Sequence, residues 1–243
     1  MAKTYIIIVT IAAIVLGIYA ILPNKEFNES VFPLTNNTAL FAYDDKSDGG
    51  YSEIEFTQND SSLQFSCTLG QDTTKGAWCG MLFDLSPQPE QGFRNWTFVD
   101  SLVFEIEAEG TREILIKVWT FDPDVTDIKK SKTFRLLLKE LPVSKELRRI
   151  ALPMEQFYTP EFWYSDAKAD TTLKRNHIET VARVEIAPGW NQKRGEKFSL
   201  KIKSISAKGI SNLAFGIIMF IMLGLMIVAI GRKHSLEKKS NET

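Results

Sequence analysis

The sequence contains few of the residues on which most enzymes and metal sites depend. Only two histidines and two cysteines occur among its 243 residues, and both His177 and His234 lie beside basic residues. There is no Gly-x-Ser-x-Gly nucleophile elbow, no His-Glu-x-x-His zinc motif and no glycine-rich phosphate loop. Carboxylate pairs such as Glu105 and Glu185 remain as candidate catalytic residues, because glycoside hydrolysis uses two carboxylates. The sequence otherwise predicts a protein that is not an enzyme.

The chain also lacks an excess of positive charge. Its 29 Lys and Arg residues are balanced by 30 Asp and Glu residues, which leaves a net charge of -1. A nucleic-acid-binding domain usually carries a basic face, so we expect no nucleic-acid partner. The mean hydropathy of -0.10 averages two strongly apolar ends with a polar middle.

Charged residues are absent from two long runs, residues 5–22 and 213–231. Each run is long enough to cross a hydrocarbon core of about 30 Å. We therefore predict transmembrane helices over residues 1–23 and 210–231. The first run has the alternative of being a cleaved signal peptide, which requires small residues before the cleavage site. The only candidate site, Ile18-Tyr19-Ala20, has the bulky Ile18 where a small residue is required, which favours an uncleaved anchor.

The orientation of the two predicted spans follows from the basic residues beside them. Arg232 and Lys233 begin a short tail, residues 232–243, and positive charges next to a span stay in the cytoplasm. Both termini would then be cytoplasmic in a two-pass inner-membrane protein with a periplasmic main domain. The two runs, residues 5–22 and 213–231, contain no Asp, Glu, Lys, Arg or His, which argues against a transporter or pore. They would pack against each other, against partner membrane proteins or against copies of the chain.

Between the spans the sequence alternates with a period of two residues. Ile54 and Phe56, for example, alternate with Glu53 and Glu55, which is typical of a strand with one buried face. Similar short segments recur with turn signals between them. They predict an extracytoplasmic all-β jelly-roll sandwich over residues 39–209, preceded by a polar linker, residues 24–38. In an oxidising compartment Cys67 and Cys79 would form a disulfide; the alternative is two buried thiols.

Five segments together resemble the galactose-binding-like jelly-roll domains of carbohydrate-binding modules, a pattern that the complex I intermediate-associated protein family shares. These segments are residues 41–52, 78–83, 100–106, 119–121 and 151–163. The resemblance implies a jelly-roll fold. Related jelly rolls often carry a structural calcium ion, for which the candidate ligands are three aspartates, Asp44, Asp45 and Asp48. Their Asp-Gly-Gly sequence is also that of an ordinary turn.

Aromatic and charged side chains of the predicted sandwich are candidates for binding a glycan. Aromatic rings can stack on sugar rings, and a few placed polar groups then fix the ligand. The candidate ligand-binding residues are Trp119, Lys117, Glu105, Arg135, Arg183, Trp163, Tyr164 and Trp190. The alternative is that the aromatic residues belong to the core and that the charges form a solvated face.

The sequence thus predicts a membrane-anchored, non-enzymatic recognition or sensor domain that binds a glycan or an envelope protein. The prediction depends on a β-rich domain placed between two uncharged apolar runs. The alternative is an accessory subunit of a larger membrane complex, whose sandwich docks on partner proteins.

Overall fold

The computed structural model describes residues 2–21, 26–35, 37–59, 61–88, 92–210 and 212–240. The chain divides into two compact units. One unit contains the two ends, Met1–Phe27 and Gly209–Thr243, and the other is Asn28–Lys208.

The first unit contains helix α1, Ala2–Ile21, and helix α3, Asn212–Ser240. Within α3, the segment Phe215–Arg232 is long and apolar enough to cross a membrane, judged by length and composition. Its 18 residues span roughly 27 Å at 1.5 Å per residue. The apolar part of α1, Ile6–Ile21, is shorter. The structure therefore supports one membrane-spanning helix on these criteria, at the C-terminal end of the described chain.

The second unit is built from strands in two antiparallel sheets, and it confirms the predicted all-β sandwich. The strands are β1 (Glu26–Phe32), β2 (Ala39–Asp44), β3 (Glu53–Asn59), β4 (Ser62–Thr68), β5 (Cys79–Asp84), β6 (Val99–Glu109), β7 (Glu113–Thr120), β8 (Arg135–Pro142), β9 (Arg148–Pro153), β10 (Val181–Pro188) and β11 (Lys197–Ile210). Sheet A has the order β3-β4-β11-β6-β9, and β1 also pairs with β11. Sheet B has the order β2-β5-β10-β7-β8.

Strand β1 corrects the prediction that residues 24–38 are a linker. Residues 26–32 pair with β11 in sheet A. Val31 and Phe32 are buried, and the Phe32 ring contacts Phe83 of sheet B edge-to-face at 6.5 Å between centroids. The linker prediction is wrong here because these two apolar side chains complete the core between the sheets.

The core lies between the two sheets, where alternate side chains of each strand meet. Val184 and Ile186 on β10 and Phe104 on β6 are buried there. A disulfide joins Cys67 on β4 to Cys79 on β5, with 6.5 Å between their Cα atoms. Since β4 belongs to sheet A and β5 to sheet B, this bond connects the two sheets directly.

A short helix, α2 (Glu161–Ala167), covers part of the outer face of sheet B. Its Trp163 and Tyr164 pack on outward side chains of β7, β8 and β10, namely Leu115, Leu136, Leu138 and Ala187. Strand β8 is therefore buried on both faces. The outer face of β2, β5 and β10, with the neighbouring end of β7, lies beside this covered region and carries the candidate site.

Candidate functional site: the outer face of sheet B

Polar and aromatic side chains line up across the outer face of sheet B. One row in register runs from Phe41 on β2 through Leu82 on β5 and Glu185 on β10 to Lys117 on β7. In the next row, Arg183 on β10 lies opposite Trp119 on β7. We refer to the following set as the Glu185 face: Phe41, Tyr43, Leu82, Lys117, Trp119, Arg183 and Glu185. The structure thus brings together three of the predicted ligand-binding residues, on two neighbouring strands.

Glu185 is the centre of this face, because three side chains donate hydrogen bonds to its carboxylate. Lys117 Nζ lies 2.5 Å from Oε1, Trp119 Nε1 lies 2.9 Å from Oε2, and the Tyr43 hydroxyl also donates to Oε1. Only 6% of the Glu185 surface is exposed. Charge-assisted bonds of this kind offset the cost of taking a carboxylate out of water. They also fix the positions of the tyrosine and tryptophan side chains.

Tyr43 reaches Glu185 by lying across strand β5 above Gly80. A Cβ atom at position 80 would lie 2.5 Å from Cζ of Tyr43 and 2.7 Å from the carbonyl oxygen of Ile186. Only glycine leaves room for the ring at this place. Burial, and then the negative charge of Glu185, raises the pKa of the Tyr43 phenol well above its ordinary value. The phenol therefore stays protonated and remains a donor at neutral pH.

Arg183 stacks over the indole of Trp119. Its guanidinium carbon lies 4.8 Å from the Trp119 ring centroid and 5.0 Å from that of Phe134, a cation–π geometry. One terminal nitrogen donates to the carbonyl oxygen of Ser131 at 2.6 Å. Burial lowers the pKa of Arg183, and the charge of Glu185 opposes that effect. Within the described chain, Arg183 Nε has no acceptor.

The Glu185 face combines exposed ring surface with fixed polar groups. Phe41, at the edge of the sheet, is 50% exposed, and the side chain of Lys117 is 20% exposed. Ring surface held beside a small number of oriented polar groups is the usual composition of a small-ligand site. Chemically, the arrangement can stack on an apolar ring face and exchange hydrogen bonds with hydroxyl groups.

Three predicted ligand-binding residues lie instead in the interior, so the prediction that they face a ligand is wrong. Arg135 is fully buried, and both its Nε and Nη2 donate to Asp122 Oδ2, at 2.9 and 2.8 Å. Trp163 is 2% exposed and donates to the carbonyl oxygen of Phe134. Tyr164 is 8% exposed and donates to the carbonyl oxygen of Leu173. These polar groups therefore form hydrogen bonds within the protein interior, where an unpaired polar group would lower the free energy of unfolding.

Glu105 lies on sheet A, away from the Glu185 face. It is in register with Arg149 of β9 and is contacted by the Ser204 hydroxyl at 3.5 Å. Since Glu105 and Glu185 belong to opposite sheets, which lie about 10 Å apart in a sandwich and point their outer side chains away from each other, they do not form a catalytic pair.

The outer side of sheet A also carries a groove of about 850 Å³. Its charges are paired across the strands, Lys197 with Glu55 at 3.0 Å and Lys201 with Glu107 at 3.2 Å. These mostly exposed pairs contribute little individually. The groove has less aromatic surface than sheet B, with only Phe56 and Phe65 among its lining residues.

The predicted calcium ligands do not converge on one point. Asp45 is buried, and its carboxylate accepts bonds from the Ser52 backbone and hydroxyl and from the Trp78 backbone. These hydrogen bonds lower the pKa of Asp45 against the opposing effect of burial. Asp44 pairs with Lys46, and Asp48 is exposed. Throughout the described chain, no three acidic, histidine or cysteine side chains are placed to hold a metal ion.

Trp190 is the one predicted aromatic residue that is widely exposed, at 56%. Its indole nitrogen donates to Glu140 Oε1 at 3.1 Å, and the Tyr158 hydroxyl donates to the same atom at 2.7 Å. The sequence prediction did not include Glu140 or Tyr158. The only feature of the sequence that pointed to this region was the density of aromatic residues around Pro160.

The sequence matches no family model and no curated protein. Among solved structures, a family 11 carbohydrate-binding module of a cellulosomal cellulase of Clostridium thermocellum gives a TM-score of 0.50 at 11% identity, over 76% of this chain and 94% of the module. The family 11 module of that bacterium in complex with a β-1,3-1,4-mixed-linked tetrasaccharide gives 0.49 at 13% identity, over 76% and 96%. A family 30 module gives 0.47 at 11% identity, over 76% and 99%.

At these identities the likeness concerns the fold. The chain has the β-sandwich fold of carbohydrate-binding modules.

Proposed function

We propose that the sandwich is a non-enzymatic recognition domain that binds a glycan on the Glu185 face. The observation that carries this proposal is that the Tyr43 ring, above Gly80, and the Trp119 indole each donate a hydrogen bond to one buried carboxylate, Glu185. Rings that are fixed before binding lose less conformational entropy when a ligand arrives. The face therefore offers a preorganised surface for a sugar ring.

The fold is consistent with this proposal. The structure with a TM-score of 0.50 is a carbohydrate-binding module, although a fold alone does not define a function. Glu105 and Glu185 lie on opposite sheets, so these two residues do not form the carboxylate pair considered for hydrolysis.

The proposal includes the membrane arrangement. We infer that α1 and α3 both span the inner membrane, with both termini in the cytoplasm and the sandwich in the periplasm. Segment Phe215–Arg232 supports the second span by its length and composition. Arg232 at its end and Lys233 directly after it support a cytoplasmic C terminus.

The test is affinity electrophoresis of the full-length chain in mild detergent, in gels that contain neutral, acidic or amino-sugar polysaccharides. At least one polysaccharide should retard the wild-type protein. Phe41→Ala removes an exposed ring from the Glu185 face and should weaken that binding about tenfold, which corresponds to about 1.4 kcal/mol. The matched control is Phe98→Ala, since Phe98 is similarly exposed, at 42%, and precedes strand β6 of sheet A.

Two results would overturn the proposal. Equal retardation of wild type and Phe41→Ala by a bound polysaccharide would move the site away from the Glu185 face. The absence of retardation by every polysaccharide, together with a membrane protein that co-purifies in stoichiometric amount, would favour an accessory subunit of a complex.

A further inference from the structure

A second group of aromatic side chains lies at the β8 edge of sheet B. We define the edge cluster as Glu140, Tyr158, Phe162 and Trp190. They come from β8, from the segment after β9, from helix α2 and from the loop after β10. The backbone of Tyr158 bonds in both directions to Leu138 of β8, at 2.8 and 3.1 Å. Four separate segments therefore build this one surface.

The rings of the edge cluster are exposed. Tyr158 is 43% exposed, Phe162 is 47% exposed and Trp190 is 56% exposed. Phe162 and Trp190 meet edge-to-face, with 6.5 Å between ring centroids and 81° between ring planes. By contrast, the buried Trp163 packs against the outer leucines of sheet B. Stabilising the interior therefore does not account for this exposed ring surface.

Glu140 holds two of these rings in place. One carboxylate oxygen accepts both the Tyr158 hydroxyl at 2.7 Å and the Trp190 indole N–H at 3.1 Å. Burial opposes ionisation of Glu140, but these hydrogen bonds outweigh it and lower its pKa. Burial and the bond to Glu140 raise the pKa of Tyr158 to about 12. The carboxylate is therefore ionised, and the phenol remains a donor, over the whole physiological range.

The charge of the cluster limits the class of ligand. Glu140 is its only ionised member, so an anionic ligand would be repelled. A neutral sugar ring suits both parts of the surface: its apolar C–H face can stack on the exposed Trp190 ring, and its hydroxyl groups can reach the carboxylate.

The edge cluster lies on the same face of sheet B as the Glu185 face. Lys117, the neighbour of Glu185, is in register with Leu138, and Glu140 follows two residues along β8. With about 4.8 Å between strands and about 3.3 Å per residue, the Cα atoms of Glu140 and Glu185 are about 12 Å apart. Helix α2 covers the side chains between them. The two surfaces are separate but belong to one side of the domain.

We propose that the edge cluster is a second subsite for a neutral sugar ring, with Trp190 as its stacking surface. This inference depends on the proposed function, because it takes the same ligand class. Two subsites on one side of the domain would bind a polysaccharide more tightly than a short sugar, since the second contact is made intramolecularly.

The test compares the full-length wild-type chain with Trp190→Ala, Trp190→Tyr and Phe41→Ala on an array of neutral, acidic and amino-sugar oligosaccharides of increasing length. Trp190→Ala should lose about tenfold in affinity for a long neutral oligosaccharide. Trp190→Tyr, which keeps a ring, should retain most of it. The matched control is Trp78→Ala, since Trp78 is 40% exposed and precedes β5 outside the edge cluster.

The outcomes separate the two proposals. If Trp190→Ala binds as the wild type does while Phe41→Ala is impaired, the second subsite is wrong and the Glu185 face stands. If Trp190→Ala alone is impaired, the edge cluster is a sugar site and the assignment of the Glu185 face is wrong. If the wild type binds no sugar on the array, both proposals fail together.

Discussion

At the scale of single residues, Gly80 fits closely under the Tyr43 ring on the Glu185 face. We predict that Gly80→Ala lowers the free energy of unfolding by about 2 kcal/mol, because the new methyl group overlaps both the ring and the backbone oxygen of Ile186. Urea unfolding of the full chain in detergent, followed by tryptophan fluorescence, would measure the change.

The same substitution in a Tyr43→Ala background is the appropriate comparison. With the ring removed, only the backbone overlap remains, so Gly80→Ala should cost less there than in the wild type. Equal costs in the two backgrounds would contradict the placement of the Tyr43 ring above Gly80.

Buried charges at this scale show why residue type alone is a poor guide to a ligand site. Arg135 and Glu185 are both charged strand residues, and both are buried in hydrogen-bonded ion pairs. Arg135 pairs with Asp122 inside the core and stacks on Trp163 at 4.7 Å. Glu185 instead draws side chains to an outer face. Their roles differ because Arg135 lies against Trp163 of the covering helix α2, whereas Glu185 lies beside the region that this helix covers.

At the scale of elements, helix α2 determines how much of sheet B is available. Trp163 packs on the outer leucines of β7 and β8, whereas the adjacent Phe162 is 47% exposed. We predict that Trp163→Ala lowers the free energy of unfolding by about 3–5 kcal/mol, because it leaves a cavity and an unpaired carbonyl oxygen at Phe134.

Phe162→Ala is the matched control in the same helix. Since Phe162 is already about half exposed, at 47%, its removal should change the free energy of unfolding by less than about 1 kcal/mol. Denaturant unfolding of the two variants under identical conditions would measure both values. Similar losses for the two would mean that α2 is not anchored through Trp163.

At the scale of the whole molecule, the membrane arrangement can be tested independently of sugar binding. With an epitope tag after Thr243, protease added to cells with a permeabilised outer membrane should digest the sandwich and leave the tag protected. We expect the tag to be protected because the basic residues Arg232 and Lys233 keep the C terminus in the cytoplasm. Immunoblotting would detect the protected fragment, and cells lysed with detergent provide the control. Digestion of the tag in unlysed cells would contradict a cytoplasmic C terminus.

Several features of the molecule could be predicted from local sequence. The period-two alternation at Ile54 and Phe56 predicted strand β3, but it did not show which side chains the core covers, because Phe56 is 46% exposed. The uncharged run in residues 213–231 predicted the apolar helix α3 for a similarly local reason. Strand β8 was different: its leucines are buried on both faces, so the alternation that would have shown the phase of Arg135 is absent.

The sequence by itself determined the all-β class of the middle region and the apolar character of the C-terminal helix, since both depend on residues close together along the chain. Tertiary structure alone decided which side chains meet. Glu185 contacts Tyr43 across 142 positions of sequence, and Arg135 finds Asp122 in a loop. It also decided that α2 buries Trp163 and leaves Trp190 exposed. Such choices depend on strand order and on what covers each face, and neither property is encoded in any short segment.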